Sequence, residues 1–141
     1  MAQVVVYGHR STLTARREAL SEAIHGAVMA ALAYPPEKRF HRFIGLDDAD
    51  FIHPTDRGAD YTIIEISMFE GRSEEAKRAL IRELFTRIEA EAGISPHSVG
   101  SRCTSHRRST GGSAAPTAPT WPWATASRSD SAGDREHVPP W

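Results

Sequence analysis

"YTIIEISMFEGRSEEAKRALIRELFTRIEAEAG", residues 61–93, decides the fold. Its opening, Tyr61 to Ser67, is rich in β-branched and aromatic residues, which suit a pleated, half-buried strand. "FEGR" breaks the run with a turn. Ser73 is a candidate N-cap, and Glu74 and Glu75 stand where acidic groups complement the positive end of a helix dipole. Ala76, Leu80, Ile81, Leu84, Phe85 and Ile88 then recur at i, i+3, i+4 spacing, one apolar helix face. Gly93 is placed to end that helix as its left-handed C′ residue. "SPHSV", residues 95–99, opens a further strand, so the unit is β-α-β.

The same rhythm stands upstream. "QVVVYG", residues 3–8, is a β-branched run ended by Gly8. In "TARREALSEAIHGAVMAALAY", residues 14–34, Leu20, Ile24, Ala27, Val28, Ala31 and Leu32 form an apolar stripe. Thr12 or Thr14 is the expected cap, the Tyr34–Pro36 turn is the stop, and His25 falls on the polar side. "RFHRFIGL", residues 39–46, reads as the second strand, and a polar loop at 47–60 joins the two units. A β-α-β unit has parallel strands and a right-handed crossover. Two units in one sheet predict an α/β two-layer sandwich, a duplicated β-α-β with both helices on one sheet face. The other face, carrying Val4 or Val5, has no layer to cover it, so association of copies is the natural cover.

Composition narrows the class. The chain has 141 residues and a net charge of −1, with no basic surplus for nucleic acid or an anionic membrane. Residues 1–99 carry 12 basic against 15 acidic side chains; residues 100–141 carry 5 against 3. A ferredoxin-like nucleic-acid binder shares the βαβ rhythm, but the net acidity of residues 1–99 and the lack of aromatic strand motifs argue against it. Cys103 is the only cysteine, which excludes an internal disulfide framework. No leader and no membrane-length apolar run is visible, so a cytoplasmic protein is expected. There is no phosphate-cradling glycine loop, nucleophile elbow or Cys-x-x-Cys. His53 and Asp56 lie in one loop, but no second clustered His or Cys supports a metal, and neither metal nor cofactor is expected.

With these residues in view, "VVVYGHRSTLTARREALSEAIH", "PPEKRFHRF" and above all "YTIIEISMFEGRSEEAKRALIRELFTRIEAEAGISPHSV" resemble the tautomerase superfamily, in the branch related to malonate semialdehyde decarboxylase. The similarity covers residues 2–99. It implies a tautomerase/MIF-like fold assembled as a homotrimer with sheets inward. It also implies enol–keto tautomerisation, or related decarboxylation or hydration, of small 2-oxo or unsaturated carboxylic acids.

The resemblance carries a site with it, incompletely. The family's catalytic group is an N-terminal proline; here the chain begins Met1-Ala2-Gln3. Removal of Met1 leaves a primary α-amine on Ala2, with an ordinary pKa of about 7.7–8.0, suited to general base work. Ala2 is therefore the catalytic candidate, against the alternative of a plain chain terminus. Arg72 matches an anion-binding arginine of the decarboxylase branch and stands just before a helix N-terminus. The neighbouring arginine of the relatives is Glu70 here, and their acidic group corresponds to Lys38. Arg39 and His41 share a face of the expected strand, opposite Phe40 and Arg42, and are candidates to bind an anion or shuttle a proton. Their ordinary alternative is salt bridging to Asp47, Asp48 or Asp50. A non-catalytic oligomeric scaffold is the competing reading of the whole chain.

The sequence changes character at Gly100. From Gly100 to Trp141 only Val138 is a Val, Ile, Leu or Phe, and "STGGSAAPTAPTWPWATASRSD" is a polar Pro/Ser/Thr/Ala stretch. Translated one base on, with synonymous codons chosen for Gly100 to Asp130, it yields VALHVAPAVNWGIRGAHGADLALGYRVEV and then a stop. Trp-Gly-Ile-Arg-Gly is a segment of the resembled family at this position. The expectation is a domain over 1–99 that lacks its closing strand, and an irregular, out-of-frame tail over 100–141; a genuine disordered tail is the alternative.

Overall fold

The computed structural model describes residues 2–107. Strand β1 (Ala2–His9) leads into helix α1 (Arg10–Leu32), then β2 (His41–Leu46), β3 (Thr62–Phe69), α2 (Glu74–Arg87) and β4 (Val99–His106). Short 3-10 turns at 48–50, 55–57 and 96–98 punctuate the loops, and a π turn at 88–92 extends α2. The sheet order is β2-β1-β3-β4. β1–β2 and β3–β4 are parallel, each spanned by its helix, and β1–β3 is antiparallel. This is the expected duplicated β-α-β sandwich.

Strand alternation sets the core. Val4 and Val6 on β1 and Thr62, Ile64, Ile66 and Met68 on β3 are buried. The apolar ones pack with Leu20, Ile24, Ala27 and Val28 of α1 and Leu80 and Leu84 of α2 in one cluster, so both helices cover the same face. Ser73 Oγ accepts from Ala76 N at 3.1 Å, the predicted cap, and Gly93 has φ of 66° at the predicted C-cap. The intervening residues of β1 and β3, among them Val5, Tyr7, Ile63 and Glu65, face away from the helices. On the same face of β2 Ile44 remains 40% exposed.

Four local expectations are corrected. α1 starts at Arg10 with His9 at the N-cap, ahead of Thr12 and Thr14, because the first strand runs on through Gly8 without a turn. Arg39 precedes β2. His25 is buried, at 2% exposure, because its Nε2 donates to Pro36 O at 2.8 Å and the Pro35–Pro36 turn folds over it. The closing strand, expected to be lost at Gly100, is present: β4 pairs with β3 from Thr62↔Val99 through Phe69↔His106. Ladder hydrogen bonds need backbone N–H groups and not particular side chains. The chain has no proline between Pro96 and Pro116, so every residue of β4 keeps its donor. The rest of the tail expectation, residues 108–141, lies outside the described residues.

Candidate active site

One end of the sheet gathers the sequence-predicted residues. The antiparallel register sets Ala2 opposite Met68, so the start of β1 adjoins the end of β3 and the turn that carries Glu70, Gly71 and Arg72. β4 ends beside Phe69 at His106, and Val4 N donates to Phe40 O at 2.9 Å, which brings in the segment before β2. Gln3, Ser67, Met68, Phe69 and His106 line a cleft of about 360 Å³ at this end. Ala2 itself is buried as the first ladder residue. Sequence reasoning missed Gln3, Ser67 and His106 because only the strand register brings them together.

Arg72 is held by the protein. Its Nη1 donates to Leu32 O at 2.9 Å, and its guanidinium carbon lies 5.2 Å from the centre of the Tyr34 ring. The last carbonyls of a helix have no partner within it and carry the negative end of the dipole, so a cation there is doubly favoured. Ala33 closes α1 in a left-handed conformation, φ 54° and ψ 39°, with its N–H on Met29 O.

Arg39 and His41 do share a face, but it is the helix-covered one. Arg39 Nη1 donates to Glu22 Oε1 at 2.6 Å, and His41 Nδ1 lies 2.9 Å from Ser21 Oγ. The expected acidic partners go elsewhere: Asp47 pairs with Arg10 and Asp48 with His9. Burial strips water from the His41 imidazolium and, with the charges of Arg39 and His25, lowers its pKa to about 4. At neutral pH His41 is an uncharged hydrogen-bonding group and supplies no fixed charge for a carboxylate. Arg39 and His41 line a hollow of about 250 Å³ with Gln3. Gln3 thus borders both hollows.

Cys103 faces the core from β4, and burial raises the pKa of its thiol. Such a thiol is a poor nucleophile. No group of three or more His, Cys, Asp or Glu is placed to hold a metal among the described residues, and no described helix is long and apolar enough to cross a membrane.

The comparisons with known proteins agree with this fold. The crystal structure of FG41 malonate semialdehyde decarboxylase inhibited by 3-bromopropiolate is similar at a TM-score of 0.68 and 22% identity, covering 79% of this chain and 91% of that one. A second malonate semialdehyde decarboxylase, solved in wild-type, mutant and inactivated forms, matches at 0.67 and 18%, covering 81% and 92%. A fused 4-OT symmetric trimer matches at 0.64 and 23%, covering 74% and 85%. At these identities the structures establish the fold. The family described as "Tautomerase enzyme" matches residues 38–108, half of the chain and every element from β2 through β4. The chain belongs to the tautomerase family.

Proposed function

We propose that this protein acts on small 2-oxo or unsaturated carboxylic acids, by enol–keto tautomerisation or a related decarboxylation or hydration. The α-amine of Ala2, exposed on removal of Met1, is the acid–base group, and Arg72 anchors the substrate carboxylate. The observation that carries this reading is the β1–β3 register: Ala2 lies opposite Met68, at the end of the sheet where the Arg72 turn and the Gln3–Ser67–His106 cleft are found. A guanidinium suits a carboxylate because its fork matches two oxygens at once. Arg72 has five donors, and its bond to Leu32 O engages one of its nitrogens. Arg39 and His41 line the hollow alongside and serve as neighbouring substrate contacts, His41 as a neutral partner.

The reading includes a cytoplasmic homotrimer. Apolar Val5, Ile44 and Ile63 on the helix-free face motivate the assembly, and the similar fused 4-OT is a trimer.

The test is turnover of phenylenolpyruvate, hydroxyphenylpyruvate and malonate semialdehyde by purified, folded protein. The expected result is activity on at least one of them, abolished by blocking the α-amine and kept or raised by Ala2→Pro. The second reading, a scaffold without catalysis, draws support from the internal partners of Arg39 and Arg72. Folded protein inert toward all three substrates would decide for it.

A further inference from the structure

At the opposite end of β1 from Ala2, two histidines 44 positions apart in sequence meet nitrogen to nitrogen: His9 Nε2 lies 2.8 Å from His53 Nε2. Their ring centres are 5.0 Å apart. That exceeds the nitrogen separation by about the width of an imidazole ring, so the two nitrogens face each other head-on, along the line joining the centres. The remaining ring nitrogens are engaged. His9 Nδ1 lies 2.9 Å from Asp48 Oδ1, and His53 Nδ1 lies 3.0 Å from Pro54 O. A carboxylate and a carbonyl only accept, so both Nδ1 atoms carry hydrogen. Two neutral rings so arranged would press one Nε2 lone pair against the other. A further hydrogen on the line between the Nε2 atoms turns that repulsion into a charge-assisted N–H···N bond.

We propose that His9 and His53 share a single added proton, and that this proton latches the 47–60 loop to the end of β1. His9 is the better seat for the charge, because the Asp48 carboxylate lies against its Nδ1–H; its Nε2–H then donates to His53 Nε2. Without the added proton, two neutral rings have two hydrogens for three bonds. One bond must be given up. Keeping both Nδ1–H groups sets lone pair against lone pair. Moving a hydrogen from Nδ1 to Nε2 sets a bare Nδ1 against the Asp48 carboxylate or the Pro54 carbonyl. The docked loop therefore holds one proton more than a released loop with neutral rings, and the latch weakens as pH rises.

The surroundings suit a latch. Phe51 lies 4.9 Å from His9 and 5.0 Å from His53, and it stacks on Tyr61 at 5.7 Å, centre to centre. Phe51 is buried while its neighbour Ile52 is 90% exposed, so the loop is fastened here by Phe51 and His53. His9 is 12% exposed and Asp48 94%, which puts the charge at the rim of the packed rings. Tyr61, on the other side, has its ring centre 4.9 Å from that of His53. The neighbouring cations are drawn off by their own partners: Arg10 of α1 pairs with Asp47, Arg16 with Asp60, and Arg57 donates to His97 O. Asp50 and Asp56 of the loop are exposed. Both histidines line a cleft of about 410 Å³ with Ser11, Thr12 and Thr55, so the latch also governs that cleft.

The test is nitrogen-15 NMR of the imidazoles in the full-length protein, together with amide hydrogen exchange of residues 47–60, across about pH 5 to 9, a span that brackets ordinary histidine titration. Exchange is corrected for the intrinsic effect of pH. At the acidic end both Nδ1 atoms are expected to carry hydrogen, with one more shared between the Nε2 atoms. Protection of the loop is expected to fall about tenfold or more toward the alkaline end. His9→Gln and His53→Gln, which do not titrate, each flatten that dependence, and Asp48→Asn moves it to lower pH. Spectra and exchange of the parent protein keep the test open should a variant fail to fold. The His41 effect has the opposite sign, a loss toward low pH, so the two are told apart. Three results would overturn the latch: a bare Nδ1 on either ring at the acidic end; equal loop protection at both ends of the range; or an unchanged pH dependence in the glutamine variants.

Discussion

Arg72 Nη1 donates to the carbonyl of Leu32, forty residues earlier, and so ties the turn after β3 to the end of α1. A residue matched to an anion-binding position is also a helix cap. Arg72→Ala is therefore expected to act twice. Loss of the bond to the carbonyl and of the contact with Tyr34 costs about 1–2 kcal/mol of stability, since the side chain is exposed and screened. Separately, kcat/KM per folded molecule falls tenfold or more, equivalent to about 1.4 kcal/mol of transition-state stabilisation. Melting curves read the first effect and kinetics at a temperature where both proteins are folded reads the second. A stability loss with unchanged kcat/KM removes Arg72 from the substrate site and leaves it a cap.

His41 makes stability depend on pH. Its folded pKa of about 4 lies below the ordinary 6.5, so between these values the unfolded chain binds the proton and the folded chain does not. Stability from this group is fully present above pH 6.5 and is lost as pH falls toward 4, with no further loss below. Allowing for partial solvent screening, the loss is about 2 kcal/mol. Denaturant unfolding of the parent and of His41→Phe across this range checks it: the variant's profile should be flatter. Parallel profiles would show that His41 does not titrate as assigned.

Ala33 is the only non-glycine residue with positive φ among the described residues, at 54°. A Cβ in the left-handed region costs about 1 kcal/mol, and glycine relieves it. Ala33→Gly should raise stability by about 0.5–1 kcal/mol by denaturant midpoint, with an unchanged slope.

On β4 the helix-facing positions are Val99, Ser101, Cys103 and Ser105; the last three lie opposite buried Ile64, Ile66 and Met68. The frame one base on places Val, Leu and Val at those three positions. The combined change Ser101→Val, Cys103→Leu and Ser105→Val should raise stability by about 1–3 kcal/mol, at roughly 0.8 kcal/mol per buried methylene less some repacking strain. Calorimetry measures the melting shift, and sedimentation compares the association state of parent and variant. A destabilised triple variant would mean the strand has already adapted to its small side chains.

Periodicity made most of the fold legible. Leu80, Leu84 and Ile88 are buried as their spacing predicts, because burying one face of a helix is what the pattern encodes. β4 escaped the reading because Ser101, Cys103 and Ser105 give no apolar alternation, although the backbone still pairs. At the site, Ala2 and Arg72 were legible only through resemblance. Arg39 and His41 were assigned to one face correctly, but alternation does not say which face the helices cover. His53 looked solitary because its partner, His9, is the last residue of β1, 44 positions earlier in sequence.

The strand order β2-β1-β3-β4 with an antiparallel centre has a geometric corollary. A half-turn about an axis near the Val5↔Glu65 pair exchanges β1 with β3 and α1 with α2. It carries the turn before α2, where Arg72 lies, onto the direct junction of β1 with α1, where His9 and Arg10 lie. It carries the start of β1 onto Thr62, the start of β3. The molecule therefore has two corresponding corners, and only one of them adjoins the amino end of the chain. His9 and His53 meet at the other corner.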